Sequence, residues 1–348
     1  MKLKGILCGL AAAIAVAAGA QAASAQNAQS SQSGQSAPFA GAQITIHVGT
    51  SAGSTYDTYA RLVADHMGRF IPGSPGIIVQ NQAGAGGAVA TSYLYNVAPK
   101  DGTALGFVQQ NLPLFQVLSP DKAKFDMAKM NWIGTLTDIG SVVAMWHATG
   151  AKTVADVQKA EFAVGTTGRG SETYQVPTIM NALLDTKFRL VAGYKGVAGM
   201  DVAIEQGELH GRGGSLLSWT SRKQDWIRDG KVNFIVQIGL ERAKEIPDVP
   251  LLIELAKDDR TRKIFELMSS AGAVGRSMVA PPGMPAERVA ILKTAFEEMV
   301  RDPAFLADAE KRALPINAGS GDKVQTVVAN TVAAPKEIVD ELRTLLGM

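Results

Sequence analysis

The segment from Ile44 to Arg61 constrains the fold of this chain most, because it changes from a strand pattern to a helix pattern within a few residues. Apolar and polar side chains alternate over Ile44–Val48, which predicts a short β-strand. A turn of small residues, Gly49–Gly53, follows the strand. Apolar residues then recur at helical spacing, at Tyr59, Val63, Met67 and Phe70. The segment therefore predicts a strand, a tight turn and an amphipathic helix.

The start of that helix is a candidate anion site. Ser54 and Asp57 have the spacing of a capping pair, which marks a helix N-terminus. The first N–H groups of a helix have no intrahelical acceptor, and the helix dipole places about half a positive charge there. We therefore expect the turn around Ser51, Gly53, Ser54 and Thr55 to bind an anion. Asp57 has two interpretations: it only caps the helix, or it also orients a water molecule on the ligand.

Strand-like and helix-like segments alternate after residue 43, which predicts parallel sheets covered by helices. The first set predicts strands at Ile44–Val48, Gly76–Asn81 and Ala104–Gln109, and helices at Thr55–Phe70 and Gly87–Val97. The second set predicts strands at Phe162–Gly165, Phe188–Ala192, Leu209–Gly211 and Val232–Gly239. Two long strand-like segments that flank the second set would cross between lobes, at Asn131–Trp146 and Ala271–Ala280. We predict an α/β fold of two lobes, with residues 42–140 and 275–348 in lobe 1 and residues 141–274 in lobe 2.

The N-terminal residues have the pattern of a cleaved signal peptide. Lys2 and Lys4 precede an apolar run, and Ala23–Ala25 is typical of a cleavage site, so residues 1–25 are predicted to be removed on export. A membrane anchor is the alternative, but the apolar run is shorter than the roughly 20 residues that span a bilayer. The one cysteine, Cys8, lies in this segment, so no disulfide is expected in the mature chain. Residues 26–41, rich in Gln, Ser and Ala, predict a disordered linker.

The charge balance argues against nucleic acid and anionic membrane as partners. The chain has 34 Lys and Arg against 32 Asp and Glu, with 46% hydrophobic and 19% charged residues. Removal of residues 1–25 takes away Lys2 and Lys4 and no acids, which leaves 32 basic against 32 acidic residues. Nucleic acids and anionic membranes are bound mainly through clustered positive charge, and no dense Lys/Arg patch is present. Any bound anion is therefore expected to be small and recognised locally.

Two further Gly-rich turns connect a predicted strand to a predicted helix. In Asn81–Gly87, the small residues Ala85, Gly86 and Gly87 would let backbone N–H groups approach a ligand, or would only allow tight packing of helix on strand. Nucleotide binding is disfavoured, because Val89 breaks the G-x-G-x-x-G/A pattern. In Gly165–Ser171, Thr167 and Ser171 offer hydroxyls to a ligand, with an ordinary helix N-cap as the alternative role of Ser171.

Several larger side chains have both a binding and a structural interpretation. Arg212 follows a predicted strand end between glycines, where its guanidinium could pair with a carboxylate or lie in solvent. Arg169 is a similar candidate. Tyr56 and Trp219 could line the pocket or fill the core.

Enzymatic alternatives have weaker support. Gly49–Gly53 matches the G-x-S-x-G pattern of a serine hydrolase, with Ser51 as nucleophile, but no downstream histidine motif stands out as its base. The four histidines, His47, His66, His147 and His210, do not have metal-ligand spacing, and we predict no metal and no cofactor.

The chain resembles the periplasmic receptors of tripartite tricarboxylate transporters, also called Bug receptors. The motifs that carry this resemblance, in chain order, are Gly53–Asp57 with Ala60–Arg61, Asn81–Gly87, Pro99–Thr103, Gly168–Ser171, Tyr194–Gly196, Ile246–Pro250 with Glu254, and Pro281–Pro285. The resemblance implies a Venus-flytrap fold of the type II-like class that holds a carboxylate with N–H groups at the first two helix starts. The chain departs from the family pattern at Gln82-Ala83, where Arg-Pro is common, at Tyr174, where His is frequent, and at His210, where Asp is frequent. The group at the far end of the ligand is left open by these differences.

Together these patterns predict an exported, monomeric solute receptor for a small organic carboxylate, with a ligand site that includes Tyr174. Its expected partners are the inner-membrane subunits of a tripartite tricarboxylate-type transporter. The alternatives are a serine hydrolase that uses Ser51 and a receptor that presents its ligand to a membrane sensor kinase.

Overall fold

The computed structural model describes residues 37–168, 171–194 and 196–348. Its strands are β1 (Gln43–Val48), β2 (Gly76–Asn81), β3 (Ala104–Val108), β4 (Asn131–Thr135), β5 (Ser141–Trp146), β6 (Phe162–Gly165), β7 (Phe188–Val191), β8 (Gly211–Ser215), β9 (Val232–Ile238), β10 (Ser277–Ala280) and β11 (Gly319–Ser320). The predicted α/β class is confirmed, since helices separate most of these strands.

The helices are α1 (Thr55–His66), α2 (Ala88–Asn96), α3 (Leu112–Leu118), α4 (Val154–Lys159), α5 (Glu172–Leu184), α6 (Val197–Glu205), α7 (Leu216–Arg222), α8 (Gln224–Arg228), α9 (Asp259–Val274), α10 (Ala286–Met299), α11 (Pro303–Lys311), α12 (Gly321–Val332) and α13 (Lys336–Leu345). The helix predicted at Thr55–Phe70 is α1 followed by a 3-10 turn, Met67–Phe70. Among the described residues, no helix is long and apolar enough to span a membrane.

The strands form two mixed sheets. The first has six strands in the order β11-β4-β10-β3-β1-β2, with β1 parallel to β2 and β3. The second has five strands in the order β7-β6-β8-β5-β9, with β6 parallel to β7 and β8. The chain passes from the first sheet to the second between β4 and β5 and returns through α9 to β10. The strands of one sheet are thus interrupted in sequence by those of the other, as the two-lobe prediction requires.

The hydrophobic core is built from several clusters, one of which includes the C-terminal helix. Ile338, Val339 and Leu342 of α13 pack in the same cluster as Val143 of the second sheet and Leu114 of α3. The last helix therefore contacts residues from both predicted lobes. The lobe limits at residues 140 and 275 stay a prediction.

Two predicted strands are wrong in their bounds. The strand predicted at Leu209–Gly211 begins at Gly211 and extends to Ser215, so Arg212 lies inside a strand rather than after one. The first residues of the segment Ala271–Ala280 are the end of α9, and only Ser277–Ala280 is a strand. Gly211–Ser215 has no alternation of apolar and polar side chains, so its sequence does not mark it as a strand. Ala271–Val274 is a short apolar segment that fits the helix and strand patterns equally well, and tertiary packing decides between them.

The linker predicted over residues 26–41 ends before Phe39. The Phe39 side chain is 1% exposed, and the guanidinium carbon of Arg288 lies over it, 4.5 Å from the centroid of the Phe39 ring. This aromatic residue anchors the chain ahead of β1. Residues 26–36 and the predicted signal peptide, residues 1–25, lie outside the described ranges.

The close packing of β4 on α10 generates a stability prediction. A methyl group at Gly134 would collide with the Phe296 ring, whereas a methyl group at Gly76 would meet nothing within 4 Å. Gly134→Ala is expected to lower the free energy of unfolding by about 1–3 kcal/mol through overpacking. Gly76→Ala, the matched strand control, is expected to change it by less than about 0.5 kcal/mol. Urea unfolding of both variants measures this, and equal effects would contradict the packing seen at Gly134.

Candidate functional site

Three connections meet at one edge of the first sheet, because β3, β1 and β2 are parallel neighbours whose carboxyl ends lie side by side. We call Gly49–Ser54, after β1, the first elbow, and Gln82–Gly87, after β2, the second elbow. Gln109 and Gln110 follow β3 at the same edge. In open α/β sheets, ligands bind outside the carboxyl ends of the strands. This edge of the sheet is therefore the expected position of a ligand site.

The two elbows touch through backbone atoms. A Cβ atom added at Gly49 would lie 2.7 Å from Gly87 Cα, so only glycine allows this approach. The Gln109 side chain packs on Gly87, and its amide lies 3.5 Å from the Gly49 carbonyl oxygen. The turns after three strands are thus in direct contact.

The second elbow has an unusual backbone that leaves two N–H groups without an acceptor among the described residues. Four consecutive residues have positive φ: Gly84 (155°), Ala85 (44°), Gly86 (63°) and Gly87 (89°). The N–H of Gly87 donates to the Gly84 carbonyl at 2.9 Å. Within the described parts of the chain, the N–H groups of Ala85 and Gly86 have no acceptor. These two groups are available to an anion, while the predicted donor Gly87 uses its N–H inside the turn.

The first elbow likewise uses some of its donors internally and leaves others free. Ser54 N–H donates to the Ser51 carbonyl at 3.2 Å, and Gly53 N–H donates to Asp57 Oδ2 at 2.8 Å. Ser54 caps α1, its Oγ accepting from Asp57 N–H at 3.2 Å. The N–H groups of Thr55 and Tyr56 have no acceptor among the described residues. They are the donors that the first elbow can offer to an anion.

Asp57 ties the first elbow to the end of β2, which leads into the second elbow. Its carboxylate accepts from Gly53 N–H at 2.8 Å and Arg61 Nε at 3.0 Å, both on Oδ2, and from Asn81 Nδ2 at 2.9 Å on Oδ1. Asn81 Nδ2 also donates to the Thr50 carbonyl at 3.0 Å. Burial of Asp57 works to raise its pKa, but the hydrogen bonds from Arg61, Gly53 and Asn81 outweigh burial and lower it below the ordinary 3.8. The capping interpretation is supported, and the acid also ties β2 to the start of α1.

The third elbow, which we define by residues 166–168 and 171 after β6, carries a cluster of hydroxyl groups. Thr167 N–H donates to Thr173 Oγ1 at 3.0 Å, and Ser171 Oγ lies 2.7 Å from the same atom. Ser171 occupies the N-cap position of α5 but makes no capping hydrogen bond, and its hydroxyl donates to the Gly168 carbonyl at 2.7 Å. Thr167 is exposed and Ser171 is half-buried. Arg169, the other candidate of this turn, lies outside the described residues.

A cluster that sequence reasoning missed joins the two sheets. Arg276, between α9 and β10, is 8% exposed, and its guanidinium carbon lies 3.9 Å from the Tyr56 ring centroid. Arg276 Nη1 donates to Gln110 Oε1 at 2.9 Å, and Gln110 Nε2 lies 3.4 Å from Glu172 Oε1. Ser141 Oγ donates to Glu172 Oε2 at 2.5 Å. Gln110 therefore bridges a buried cation of one sheet and an acid at the start of α5.

The pKa of Tyr56 responds to the same cluster. Burial raises the pKa of its hydroxyl above the ordinary 10.0, although Arg276 and the N–H of Gln110 act in the opposite direction. The hydroxyl accepts that N–H at 3.0 Å. Tyr56 thus supports Arg276 and the turn after β3 rather than acting as an acid.

Beside this cluster is a cavity of about 210 Å³. We call it the Glu172 cavity; it is lined by Gln109, Gln110, Asn111, Leu114, Ser171, Glu172, Gln175, Val176, Ile238, Met268 and Ala271. Other cavities, of about 330 Å³ and 530 Å³, are not lined by any predicted site residue. Only the Glu172 cavity of these three is in contact with an elbow, through Ser171.

Arg212 is placed away from any open pocket. Its side chain is 1% exposed, its Nε donates to Asp201 Oδ1 at 2.6 Å, and its guanidinium carbon lies 3.7 Å from the Trp219 ring centroid. Burial lowers the pKa of Arg212, and Asp201 opposes that shift. The solvated-surface interpretation is wrong, and the guanidinium is engaged by Asp201. Trp219 is fully buried and fills the core.

The positions that depart from the family pattern lie in different places. Gln82 extends β2, its N–H donating to the Val48 carbonyl at 2.8 Å, and Tyr174 is half-buried in the first turn of α5. His210 precedes β8, at the opposite end of the strand from Ser215, and its Nδ1 accepts from Ala163 N–H at 2.9 Å.

Among the described residues, no histidine is hydrogen-bonded to Ser51, and no group of three or more His, Cys, Asp or Glu could hold a metal ion.

Comparison with known proteins gives a family match over most of the chain. The model of the tripartite tricarboxylate transporter family receptor, TctC, matches residues 59–344. A relative from Agrobacterium vitis, the UPF0065 protein in the TAR-I ttuE-ttuC' intergenic region, is 27% identical over 274 residues, which are 77% of this chain and 74% of the relative.

Two solved structures have a similar fold. A TctC solute binding protein from Polaromonas, solved with no ligand, superposes with a TM-score of 0.68 at 18% identity, over 86% of this chain and 99% of that one. MatC from Rhodopseudomonas palustris, with bound malate, superposes with a TM-score of 0.61 at 20% identity, over 86% and 100%. These likenesses confirm the predicted two-lobed periplasmic-binding-protein fold.

The hydrogen bonds of Asp57 generate a pH prediction. A carboxyl group whose folded pKa is lowered stabilises the fold above its unfolded pKa, and that stability is lost as the pH falls through the folded pKa. Asp57→Asn is expected to lower the free energy of unfolding by about 1–3 kcal/mol at pH 7. The difference from the wild type should narrow below the ordinary pKa of 3.8. Urea unfolding at pH 7 and pH 3 measures these free energies. The control is Asp65→Asn, which changes an exposed acid on α1. A difference between Asp57→Asn and the wild type that does not change with pH would contradict the lowered pKa of Asp57.

The enclosure of Arg212 generates a second prediction. Arg212→Met leaves Asp201 buried beside Lys223 alone, 3.8 Å away, so we expect destabilisation near the lower end of about 3–5 kcal/mol. The double variant Arg212→Met, Asp201→Leu is expected to recover most of that loss, because no charge remains buried without a partner and Lys223 is partly exposed. Chemical denaturation gives both values. A stable Arg212→Met protein that binds no ligand would instead support direct ligand contact.

Proposed function

The chain belongs to the tripartite tricarboxylate transporter receptor family, and we propose that it is an exported solute receptor that binds a small organic carboxylate between two lobes. Lobe 1 would consist of residues 42–140 and 275–348, and lobe 2 of residues 141–274. Residues 1–25 are proposed as the export signal. The receptor would deliver its ligand to the membrane subunits of a tripartite tricarboxylate-type transporter. A hydrolase role for Ser51 has no support from the family, which is one of receptors.

One observation carries the carboxylate proposal: free N–H donors from two helix starts lie at the same sheet edge. Thr55 and Tyr56 supply donors from the first elbow, and Ala85 and Gly86 supply donors from the second. The elbows are held together by the Gly49 contact with Gly87, so these donors are positioned before a ligand arrives. Preorganised N–H groups at a helix N-terminus favour an anion such as a carboxylate.

The acid nearest to these donors does not oppose an anion. Asp57 is 2% exposed and is compensated by Arg61 at 3.0 Å, so its charge is already satisfied inside the elbow. Hydrogen bonds to a charged group contribute about 1.5–3 kcal/mol each. Two or three such bonds together contribute about 3–9 kcal/mol, against about 8.2 kcal/mol for a Kd of 1 μM. That MatC holds malate on the same fold supports this class of ligand.

Closure of the lobes would add donors from the third elbow. Thr167 and Ser171 are the proposed contacts there, and Tyr174 stands one turn into α5. A ligand shifts the protein toward its closed form only if it binds that form more tightly. Contacts from both sheets to one ligand provide that difference.

A proline substitution tests the donor role directly. Thr55 is the first residue of α1, and Ser54 before it is extended (φ −70°, ψ 162°), so proline fits at position 55 without strain. Thr55→Pro removes one N–H donor and is expected to weaken carboxylate binding by about tenfold or more. Thr55→Ala, which keeps the N–H, is the matched control and is expected to bind like the wild type.

The measurement is a titration calorimetry series with mono- and dicarboxylates, supported by melting temperatures. Ligand at a hundredfold excess over its Kd should stabilise the protein by about 2.7 kcal/mol. If Thr55→Pro melts like the wild type and binds the same carboxylates equally well, the first elbow is not the anion site. Stabilisation by sugars or amines, with no effect of any carboxylate, would overturn the proposed function itself.

A further inference from the structure

The Glu172 cavity adjoins the proposed anion site through Gln109. Gln109 lines the cavity and also packs against Gly87 of the second elbow. Ser171 lines it from the other sheet and belongs to the third elbow. A ligand whose carboxylate is held at the elbows therefore has this cavity as the space for its other end.

The cavity has one ionisable lining residue, and that residue is an acid. Of the lining residues named above, only Glu172 ionises; the others are amides, one serine and apolar side chains. Leu114, Val176 and Met268 form apolar walls. The lining therefore suits a short apolar body that ends in a polar group.

The nearby cation does not line the cavity. Arg276 is buried, is not part of the cavity lining, and is covered by the Tyr56 ring at 3.9 Å. Its Nη1 donates to Gln110 Oε1, while Gln110 Nε2 points at Glu172 Oε1. The amide of Gln110 thus separates the cation from the cavity, and the charged group at the cavity wall is the Glu172 carboxylate.

Glu172 keeps acceptor capacity after its protein contacts are counted. Its Oε2 accepts from Ser141 Oγ at 2.5 Å, and its Oε1 lies 3.4 Å from Gln110 Nε2. A carboxylate has about four lone-pair sites, so roughly two remain. An ionised carboxylate can only accept hydrogen bonds, so it pairs with a hydroxyl, an amide N–H or an ammonium group and repels a second carboxylate.

We propose that the Glu172 cavity is the subsite for the far end of the ligand, and that Glu172 selects a monocarboxylate bearing a hydrogen-bond donor over a dicarboxylate. The inference rests on the proposed carboxylate function and specifies its ligand class. Glu172 is a specificity-determining residue, because an unpaired like charge in a partly enclosed site costs more than a missing contact.

Matched ligands of equal length test the inference in the intact protein. The pairs are 4-aminobutanoate and 4-hydroxybutanoate against succinate, and 6-aminohexanoate against adipate, with butanoate as the ligand that lacks a polar far end. For the wild type, Kd from titration calorimetry is expected to be at least about tenfold lower for a donor-bearing acid than for its dicarboxylate.

Two variants identify the residue responsible. Glu172→Gln is isosteric, removes the charge and supplies a donor, so the preference is expected to fall to about unity or reverse toward the dicarboxylate. Glu205→Gln changes an exposed acid of α6 and is expected to keep the wild-type ratio. The melting temperature of each ligand-free variant checks that the fold is retained.

The outcomes separate this inference from the proposed function. Tighter wild-type binding of succinate or adipate, equal binding of butanoate and the donor-bearing acids, or an unchanged ratio in a folded Glu172→Gln protein would each overturn the role of Glu172. If the wild type binds no acid of any class, the carboxylate function fails, and the inference fails with it. If Glu172→Gln does not fold, Glu172→Asp replaces it as the test, because it withdraws the carboxylate by one methylene. The role of Glu172 then requires that the wild type prefers the donor-bearing acids and that Glu172→Asp loses this preference.

Discussion

The hydrogen bonds of Asp57 are the interaction on which the proposed site depends. One buried carboxylate accepts from Gly53 on the first elbow, from Asn81 at the end of β2 and from Arg61 one turn along α1. Because Asn81 also donates to the Thr50 carbonyl, the turn after β1 and the end of β2 move as one unit. This arrangement, together with the Gly49 contact with Gly87, positions the free N–H groups of Thr55, Tyr56, Ala85 and Gly86 relative to one another. The buried carboxylate of Asp57 thus helps to position N–H donors for the carboxylate of a ligand.

The two ends of the proposed ligand space have opposite hydrogen-bonding character. The elbows offer only N–H donors, which suit a carboxylate. The Glu172 cavity offers a carboxylate, amides and apolar walls, which suit an uncharged body with a donor at its end. Gln110 links the halves: it takes a hydrogen bond from Arg276 of one sheet and faces Glu172 of the other. Gln110 therefore connects the packing of the two sheets with the lining of the cavity.

Much of the fold could be predicted because its strands and helices carry strong local patterns. The segment after Ile44 and the turn at Asn81–Gly87 appear in the structure as strand, turn and helix, and the predicted strand at Phe162–Gly165 is also present. The prediction failed at Leu209–Gly211, because the Gly-rich strand Gly211–Ser215 has no apolar alternation. It also failed at Ala271–Val274, where a short apolar segment fits either structure. Arg276 was missed for the same reason, since it interrupts an apolar segment that reads as strand; one basic residue among apolar neighbours was the available signal. Glu172 was missed because an acid in the first turn of a helix is ordinary.

The sequence by itself determined the local chemistry: Gly-rich turns after apolar strands, a Ser-x-x-Asp cap, a neutral charge balance and the motifs of a receptor family. Only the tertiary structure decided which of these groups face a ligand. Arg212 became the partner of Asp201, Gly53 and Gly87 used their N–H groups inside their own turns, and Glu172 came to lie beside Gln110 across two sheets. The physical reason is that hydrogen-bond partners are assigned by distance in space. Residues far apart in the chain compete for the same donors and acceptors once the sheets are packed.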